Sequence, residues 1–511
     1  MTWRRTLGIG PTILMTLLIV PAVTAAGADT QITPNPSLML FTQLVWLLPL
    51  GIALLAAGVG EPSRAEKVAG ALPIALVIAL AGYSLTGFAF QFGGIGIINQ
   101  APGLETLTAE WSPLDIYLGE GWGLMGLRGF ALPFSSPPPE VLGLFLTQLA
   151  LVTTATLIPL VTLHGRIPRL PAFSLALFVA GVSYPIVGNW LRGGGWLSHL
   201  ATTLHLGQGW VDRGLASLHL VGAGAALAGL VAFRKRGWVA PSRAELPPSH
   251  LPLSVLIGAF LALLGWLVGI ASQPPAAQVL DLNLLLLNAL VAIAGAVTAC
   301  YGYCWLTRGR SDVALIHRSM LAALIAISAA LDQVPPWAAL VIGGVAGLLL
   351  APMMYLVDHV LGLDDRAAVV STHGFSALWG LLAAGLFGPT GLTWSASQMQ
   401  AQLLGTAGIL GMGLLIPFGL MAAIAQAYTL PVTLRVRARE RALQLEQQRR
   451  ALERLRLQGK LLNIWQRTSQ ATLAMLSASE LRLARRARLT QKARTARQAI
   501  TTRRRRLGPA R

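Results

Sequence analysis

The sequence predicts an all-α polytopic membrane protein: eleven transmembrane helices in a five-plus-five inverted repeat, behind an N-terminal signal peptide. Composition, the recurrence of long apolar runs and the sidedness of the basic residues carry that expectation. Of 511 residues, 54% are hydrophobic and 12% are charged, with 54 Gly, 30 Pro and two Cys. Mean hydropathy is +0.63. A soluble domain carries about 25% charged residues, so these values argue against an ordinary soluble enzyme. They also exclude a disordered chain and a disulfide scaffold.

The elements follow in order. Arg4 and Arg5 precede an apolar stretch over 13–20 and then PAVTAAG, the layout of a secretory signal with cleavage expected after Ala25. Helix candidates then lie near 38–58, 68–90, 138–163, 172–188, 211–233, 250–271, 281–306, 313–331, 337–358, 367–388 and 400–430. Each is near the ~20 residues that cross the hydrocarbon, the fourth being short. Gly343, Gly344 and Gly347 are expected at a close helix contact. The membrane domain thus runs over 35–431, and residues 432–511 form a basic, helical-looking tail.

Charge fixes the orientation. With the mature N-terminus outside, the inner loops hold Arg64, Lys67, Arg166, Arg169, Arg234, Lys235, Arg236, Arg243, Arg308, Arg310, Arg318 and Arg366. The outer segments hold Arg128, Arg192 and Arg213. Twelve against three follows the positive-inside rule. The tail carries 22 Lys or Arg against 4 Asp or Glu, and an odd span count places it inside as well. A cell (plasma or inner) membrane location with a cytoplasmic C-terminus is expected.

Two histidines stand deep in apolar helices: His219 in the fifth candidate and His373 in the tenth. A charge at the bilayer centre costs at least ~2.5 kcal/mol, so each should be neutral and face protein or a pore. Asp212 precedes His219 by seven residues and Asp365 precedes His373 by eight, about two turns, or roughly 10.5–12 Å. One helix then runs inward from outside and the other outward from inside, as an inverted repeat requires. An Asp at a helix start also caps free backbone donors. That role is expected of both, with an outer cation site as a further reading for Asp212. Gly214, Gly222, Gly224 and Gly229 leave room beside the His219 helix.

DRGLASLHLVGAG in the fifth segment and GLDDRAAVVSTHGFSALWG in the tenth resemble the ammonium transporter and Rhesus protein family. So do TQLALVTTATLIP, LLGW and AQLLG in the third, sixth and eleventh, and the likeness covers approximately residues 35–430. The resemblance implies a homotrimer with one hydrophobic pore per subunit, conducting ammonium or ammonia. It aligns His219 and His373 with the family's twin histidines and Asp212 with its outer-site aspartate.

Departures concentrate at the outer mouth. With Gln148 aligned, Thr147 and Leu151 stand where the family usually has aromatic residues. Arg192 takes the place of the outer tryptophan, with Trp190 and Trp196 nearby. Gly269 replaces the second gate phenylalanine and Ile270 an asparagine, while Gln273 lies near the vestibular serine. An arginine would repel ammonium; it either pairs with a carboxylate such as Asp212 or faces water. The expected function is an ammonium/ammonia channel-type transporter. The alternatives are a pore for a related small solute and a membrane sensor built on the same fold.

In the tail, Leu445, Leu452, Leu455 and Leu462 give a short heptad-like stripe, and Arg503–Arg506 end a strongly basic segment. Anionic lipid heads are the expected partner. No base-reading module supports nucleic-acid binding. The resemblance allows a soluble regulatory partner, although this tail's composition is unlike the family's. Cys300 and Cys304 are one turn apart and are expected as core packing groups, not a metal site, with Gly302 allowing close packing. No cofactor and no enzymatic nucleophile are expected.

Overall fold

The computed structural model describes residues 41–59, 62–99, 103–132, 136–212, 215–234, 251–272, 281–363, 365, 367–389, 391–392 and 394–428, with isolated positions in the tail. The leader at 1–25, Arg213, Gly214, Gln273 and nearly all of the tail lie outside the described residues. The chain divides into two compact units, residues 1–421 and 422–511.

Helices occur at all eleven expected places: α1 (Gln43–Gly58), α2 (Ala65–Ile98), α3 (Pro139–Leu163), α4 (Arg169–Gly193), α5 (Leu215–Arg234), α6 (Pro252–Ala271), α7 (Leu282–Arg308), α8 (Val313–Ile327), α9 (Pro336–Val360), α10 (370–383) and α11 (Ala396–Tyr428). Among the described residues, eight of them are long and apolar enough to cross a membrane; α1, α8 and α10 are shorter. The protein is therefore an all-α polytopic membrane protein.

Local chemistry sets the helix ends. Proline opens α3, α6 and α9, where a missing N–H costs nothing. Asp281 and Asp312 accept first-turn amides of α7 and α8, at 3.0 Å from Asn283 N and 3.1 Å from Leu315 N. Gly309, at φ +66°, closes α7 in the left-handed conformation that glycine tolerates.

The fourth helix is not short. Two π-helical turns, Val179–Ser183 and Asn189–Gly193, carry α4 over 25 residues despite Gly181 and Pro185. A π turn widens the helix and loosens its carbonyls, and neighbouring hydroxyls use them. Thr86 Oγ1 donates to Gly181 O at 2.9 Å, and Ser183 Oγ donates to Met412 O, in a π turn of α11, at 2.7 Å. The tenth helix is shorter than expected. Its chain leaves the helix after Ala383 for an antiparallel hairpin, Phe387–Gly388 against Gly391–Leu392.

Small residues set the tightest packing. On α1 and α6, a methyl added at Gly51, Gly258 or Gly265 would strike backbone of the opposite helix. Gly343 and Gly347 of α9 likewise meet the carbonyls of Ala292 and Ala296 on α7. Gly344 stands farther off, with Gly295 O at 3.8 Å from its added methyl position. Such contacts suit a membrane protein, whose helices gain little from excluding water. Gly222, Gly224 and Gly229 admit Ile158, Gly413 and Leu163 against α5. Gly302 does not do this: nothing lies within 4 Å of its missing Cβ, because that face of α7 points away from its neighbours. Cys300 and Cys304, on another face, are buried against Leu315, Leu350, Met354 and Ala368.

Candidate pore site

Asp212 and Asp365 begin the two central helices in the same way. Asp212 Oδ2 accepts the Ser217 amide at 3.0 Å and also the Ser217 hydroxyl. Asp365 accepts from Val369 N at 3.0 Å and Val370 N at 2.8 Å. Both carboxylates thus satisfy free helix donors. Asp365 lies in the buried connection between α9 and α10, and Asp358 Oδ1 accepts its own amide at 2.8 Å. Burial first, then the Asp358 carboxylate, pushes Asp365 up to about 6, against the pull of Arg166 and the two amides.

From these caps the helices converge. His219 is fully buried on α5 and His373 is 4% exposed on α10. Their Nδ1 atoms are 3.0 Å apart, with ring centroids separated by 4.9 Å and planes inclined by 38°. His373 lies in the π turn Val370–Phe375. A π turn redirects side chains relative to a regular helix and is frequent at functional sites. Gly374 brings α10 close beside Ala223 of α5, 3.2 Å from its added methyl position.

The contact fixes a proton inventory. Each neutral imidazole has one N–H and one bare nitrogen. An Nδ1···Nδ1 hydrogen bond uses one of each, leaving one Nε2 protonated and the other bare. A proton taken at the bare Nε2 can be matched by one released from the other, with the shared proton shifting between rings. His219 Nε2 is buried without a hydrogen-bond partner among the described residues, so it is available to a solute.

One turn before His219, Leu215 lies beside Gly269, which the resemblance aligns with a gate residue. A methyl at Gly269 would lie 3.5 Å from Leu151 Cδ2 and 3.6 Å from Leu215 Cδ1. Leu151 and Gly269 therefore adjoin each other beside the start of α5. Thr147 and Gln148 are also buried on α3, and Gln148 Oε1 accepts from Gln91 Nε2 of α2 at 3.2 Å.

Arg192, Trp190 and Trp196, expected at the outer mouth, lie on or next to α4. Arg192 is 8% exposed, so it does not face water. The π turn Asn189–Gly193 folds it inward, and the Tyr184 hydroxyl is within electrostatic reach of both Arg192 and Asp212. Trp190 and Trp196 meet edge to face at 5.5 Å, and Trp196 stacks on Trp122 at 6.4 Å. Trp190 Nε1 donates to Leu124 O at 2.9 Å. Sequence reasoning passed over Gln91 and Glu110, which share this region. Gln91 had a signal, a second amide in an apolar helix, whereas Glu110 sits in a connection with no periodicity to expose it.

An α-helical membrane bundle whose fifth and tenth helices bring two buried imidazoles into hydrogen-bonding contact defines a class: transport proteins with a twin-histidine motif. The chain belongs to the ammonium transporter family, whose model, the Ammonium Transporter Family, matches residues 37–451. It is 31% identical over 422 residues to ammonium transporter Amt2 of Archaeoglobus fulgidus, covering 78% of this chain and 83% of that protein. It is 27% identical to a putative ammonium transporter of Synechocystis, covering 77% and 82%. Among solved structures, a Sensor Amt Protein superposes with a TM-score of 0.61 at 22% identity, covering 76% of this chain and 91% of that one. Candida albicans Mep2 gives 0.60 at 18%, covering 76% and 84%. At these identities the superpositions speak for the fold.

Proposed function

We propose that this chain conducts ammonium or ammonia along a route passing His219 and His373. The observation that carries the reading is the 3.0 Å contact between their Nδ1 atoms, buried between α5 and α10. An intact ammonium ion crossing an apolar constriction would carry the desolvation cost of an unpaired charge. Giving its proton to the bare Nε2 of the pair lowers that cost, and ammonia passes as a neutral molecule. Potassium has no proton to surrender. Leu151, Gly269 and Leu215 form the constriction on the Asp212 side, more open than an aromatic gate. Thr147, Gln148, Asp212, Arg192, Trp190, Trp196 and Gln273 belong to the outer vestibule in this reading, and Asp365 positions the start of α10.

All eleven helices cross the membrane in this reading, with the mature N-terminus outside and the tail inside. The twelve-to-three distribution of basic residues supports that orientation. Packing supports an inverted repeat, because pairs recur five helices later: α2 on α3 as α7 on α8, α3 on α5 as α8 on α10, and α1 on α3 as α6 on α8. The assembly is a homotrimer, and the basic tail binds anionic lipid or a soluble regulatory partner.

Proteoliposome flux tests the reading, with current and internal pH recorded under ammonium and methylammonium gradients. Flux above empty liposomes is expected, and His219→Ala or His373→Ala should lower it by about a hundredfold, the scale of lost proton-transfer catalysis. Full flux in both variants would remove the relay. No flux from folded wild-type protein would favour a sensor.

A further inference from the structure

The connection between α2 and α3 carries a carboxylate that the twin-histidine pore leaves without a task. Glu110 lies in β1 (Glu110–Trp111), paired antiparallel with β2 (Met125–Gly126). Its side chain tucks against Gly123, where any Cβ would collide with the carboxyl group. The Asn189 amide and the Ser112 hydroxyl donate hydrogen bonds to the carboxylate, while its Oε1 is buried without a hydrogen-bond partner among the described residues.

The neighbouring polar atoms are acceptors in the same condition. Asn189 is fully buried on α4. Its Nδ2 donates to Gln91 O at 3.3 Å, which leaves Oδ1 directed at Gly195 without a partner among the described residues. A Cβ at Gly195 would lie 2.5 Å from that oxygen and 3.0 Å from Gly123 O, so Asn189 and the Glu110 strap are contiguous. Gln91 Oε1, the next link inward, is likewise unpartnered, while Gln91 Nε2 donates to Gln148 on α3. Three buried acceptor oxygens thus line a path from the outer loop to α3. The Trp122 ring stacks on Trp196, and its indole N–H is buried without a partner among the described residues.

Charge points the same way. Asp115 adds a second negative charge facing Glu110 and accepts the Trp122 amide at 2.8 Å. Arg192 and Asp212 both act on Tyr184, and Arg128 is exposed. Unsatisfied buried acceptors beside a carboxylate call for a species that is cationic and only donates hydrogen bonds. Ammonium has four N–H donors and no acceptor, and an aromatic face adds attraction.

We propose that the outer connections bind an ammonium-class cation between the Glu110 carboxylate and the Asn189 side-chain carbonyl, beside the Trp122–Trp196 stack. The site does not use Arg192 itself, although Asn189 shares its π turn, and its inner link, Gln91, leads toward α3. Its choice of cation rests on the ammonium-conducting reading above, but its occupancy does not require that the pore conduct.

Burial, with help from Asp115, raises Glu110 to about 7, so protons and the cation compete for one carboxylate. Cation affinity should therefore fall about tenfold between about pH 8 and about pH 6. The test is a tryptophan-fluorescence titration of the full chain in detergent with ammonium chloride at constant ionic strength. Wild-type protein should give a saturable response at the higher pH, weakened as stated at the lower. Glu110→Gln, with an unchanged melting temperature in the absence of ammonium, should weaken it by about tenfold or more. The double variant His219→Ala/His373→Ala should retain it, which separates a failed pore from a failed outer site. An unaltered titration in Glu110→Gln overturns the proposal. So does an equal response to potassium, or no saturable wild-type response. Should Glu110→Gln fail to fold, the wild-type pH dependence carries the test: equal affinity at both pH values overturns the site.

Discussion

His219 and His373 are 154 positions apart, yet their Nδ1 atoms share one hydrogen bond. Each is useful because the other fixes its tautomer, and each is held by a helix that begins at a capping aspartate. Asp365 has a measurable signature of that position. Between about pH 4 and about 6 the folded chain keeps a proton on Asp365 that an unfolded chain, titrating near 3.8, has released. The folded state binds more protons there, so this group's contribution favours folding less as pH rises through that window. Asp365→Asn, compared with wild type by thermal melting at about pH 4.5 and about pH 7, should gain relative stability at the higher pH. A melting-temperature difference that does not change with pH would show that the carboxyl titrates normally.

At the scale of the helices, glycine sets how closely pairs approach, and neighbouring glycines on α6 have opposite surroundings. Gly265 faces backbone of α1 at Leu48, so a methyl there forces the helices apart. Gly269, one turn later, meets only side-chain atoms at ordinary contact distance. Gly265→Ala should cost about 1–3 kcal/mol through overpacking. Gly269→Ala should be neutral or stabilising by up to about 1 kcal/mol, because alanine is the better helix former. Denaturation in mixed micelles measures both. Equal effects would mean that the α1–α6 contact is looser than the backbone approach implies. The same comparison makes Gly269 a suitable place to add bulk at the proposed constriction, since Leu151 and Leu215 are its neighbours.

Taken as a whole, the molecule is a membrane bundle whose basic charge is concentrated at one end of the chain. The proposed trimer is testable by crosslinking in detergent at low protein concentration: a trimeric band is expected, and a persistent monomer would count against it. Anionic vesicles should retain the full chain more strongly than neutral ones in a salt-sensitive manner, because about 1 kcal/mol per basic residue near the surface is screened by salt.

Much of this architecture was legible in advance because it rests on local quantities. Apolar run length marked all eleven helices, since a bilayer needs about 20 residues of helix. The imidazole pair stood out because ionisable groups are rare in such runs. Boundaries were harder to read where the chain departs from the regular helix. The π turns of α4 lengthen a helix that composition shortens, and the hairpin after Ala383 shortens one that composition extends. Arg192 shows the same limit: its charge suggests water, but a π turn folds it inward.

The sequence by itself determined a membrane chain of apolar helices, their approximate places and the two histidines worth pairing, because hydropathy and charge are properties of single residues and short runs. Only the tertiary structure decided that those imidazoles share a hydrogen bond, that Leu151 adjoins Gly269, and that Glu110 meets the side chain of Asn189. Those contacts join elements distant along the chain, and their geometry depends on how closely glycines let helices approach and where π turns redirect side chains.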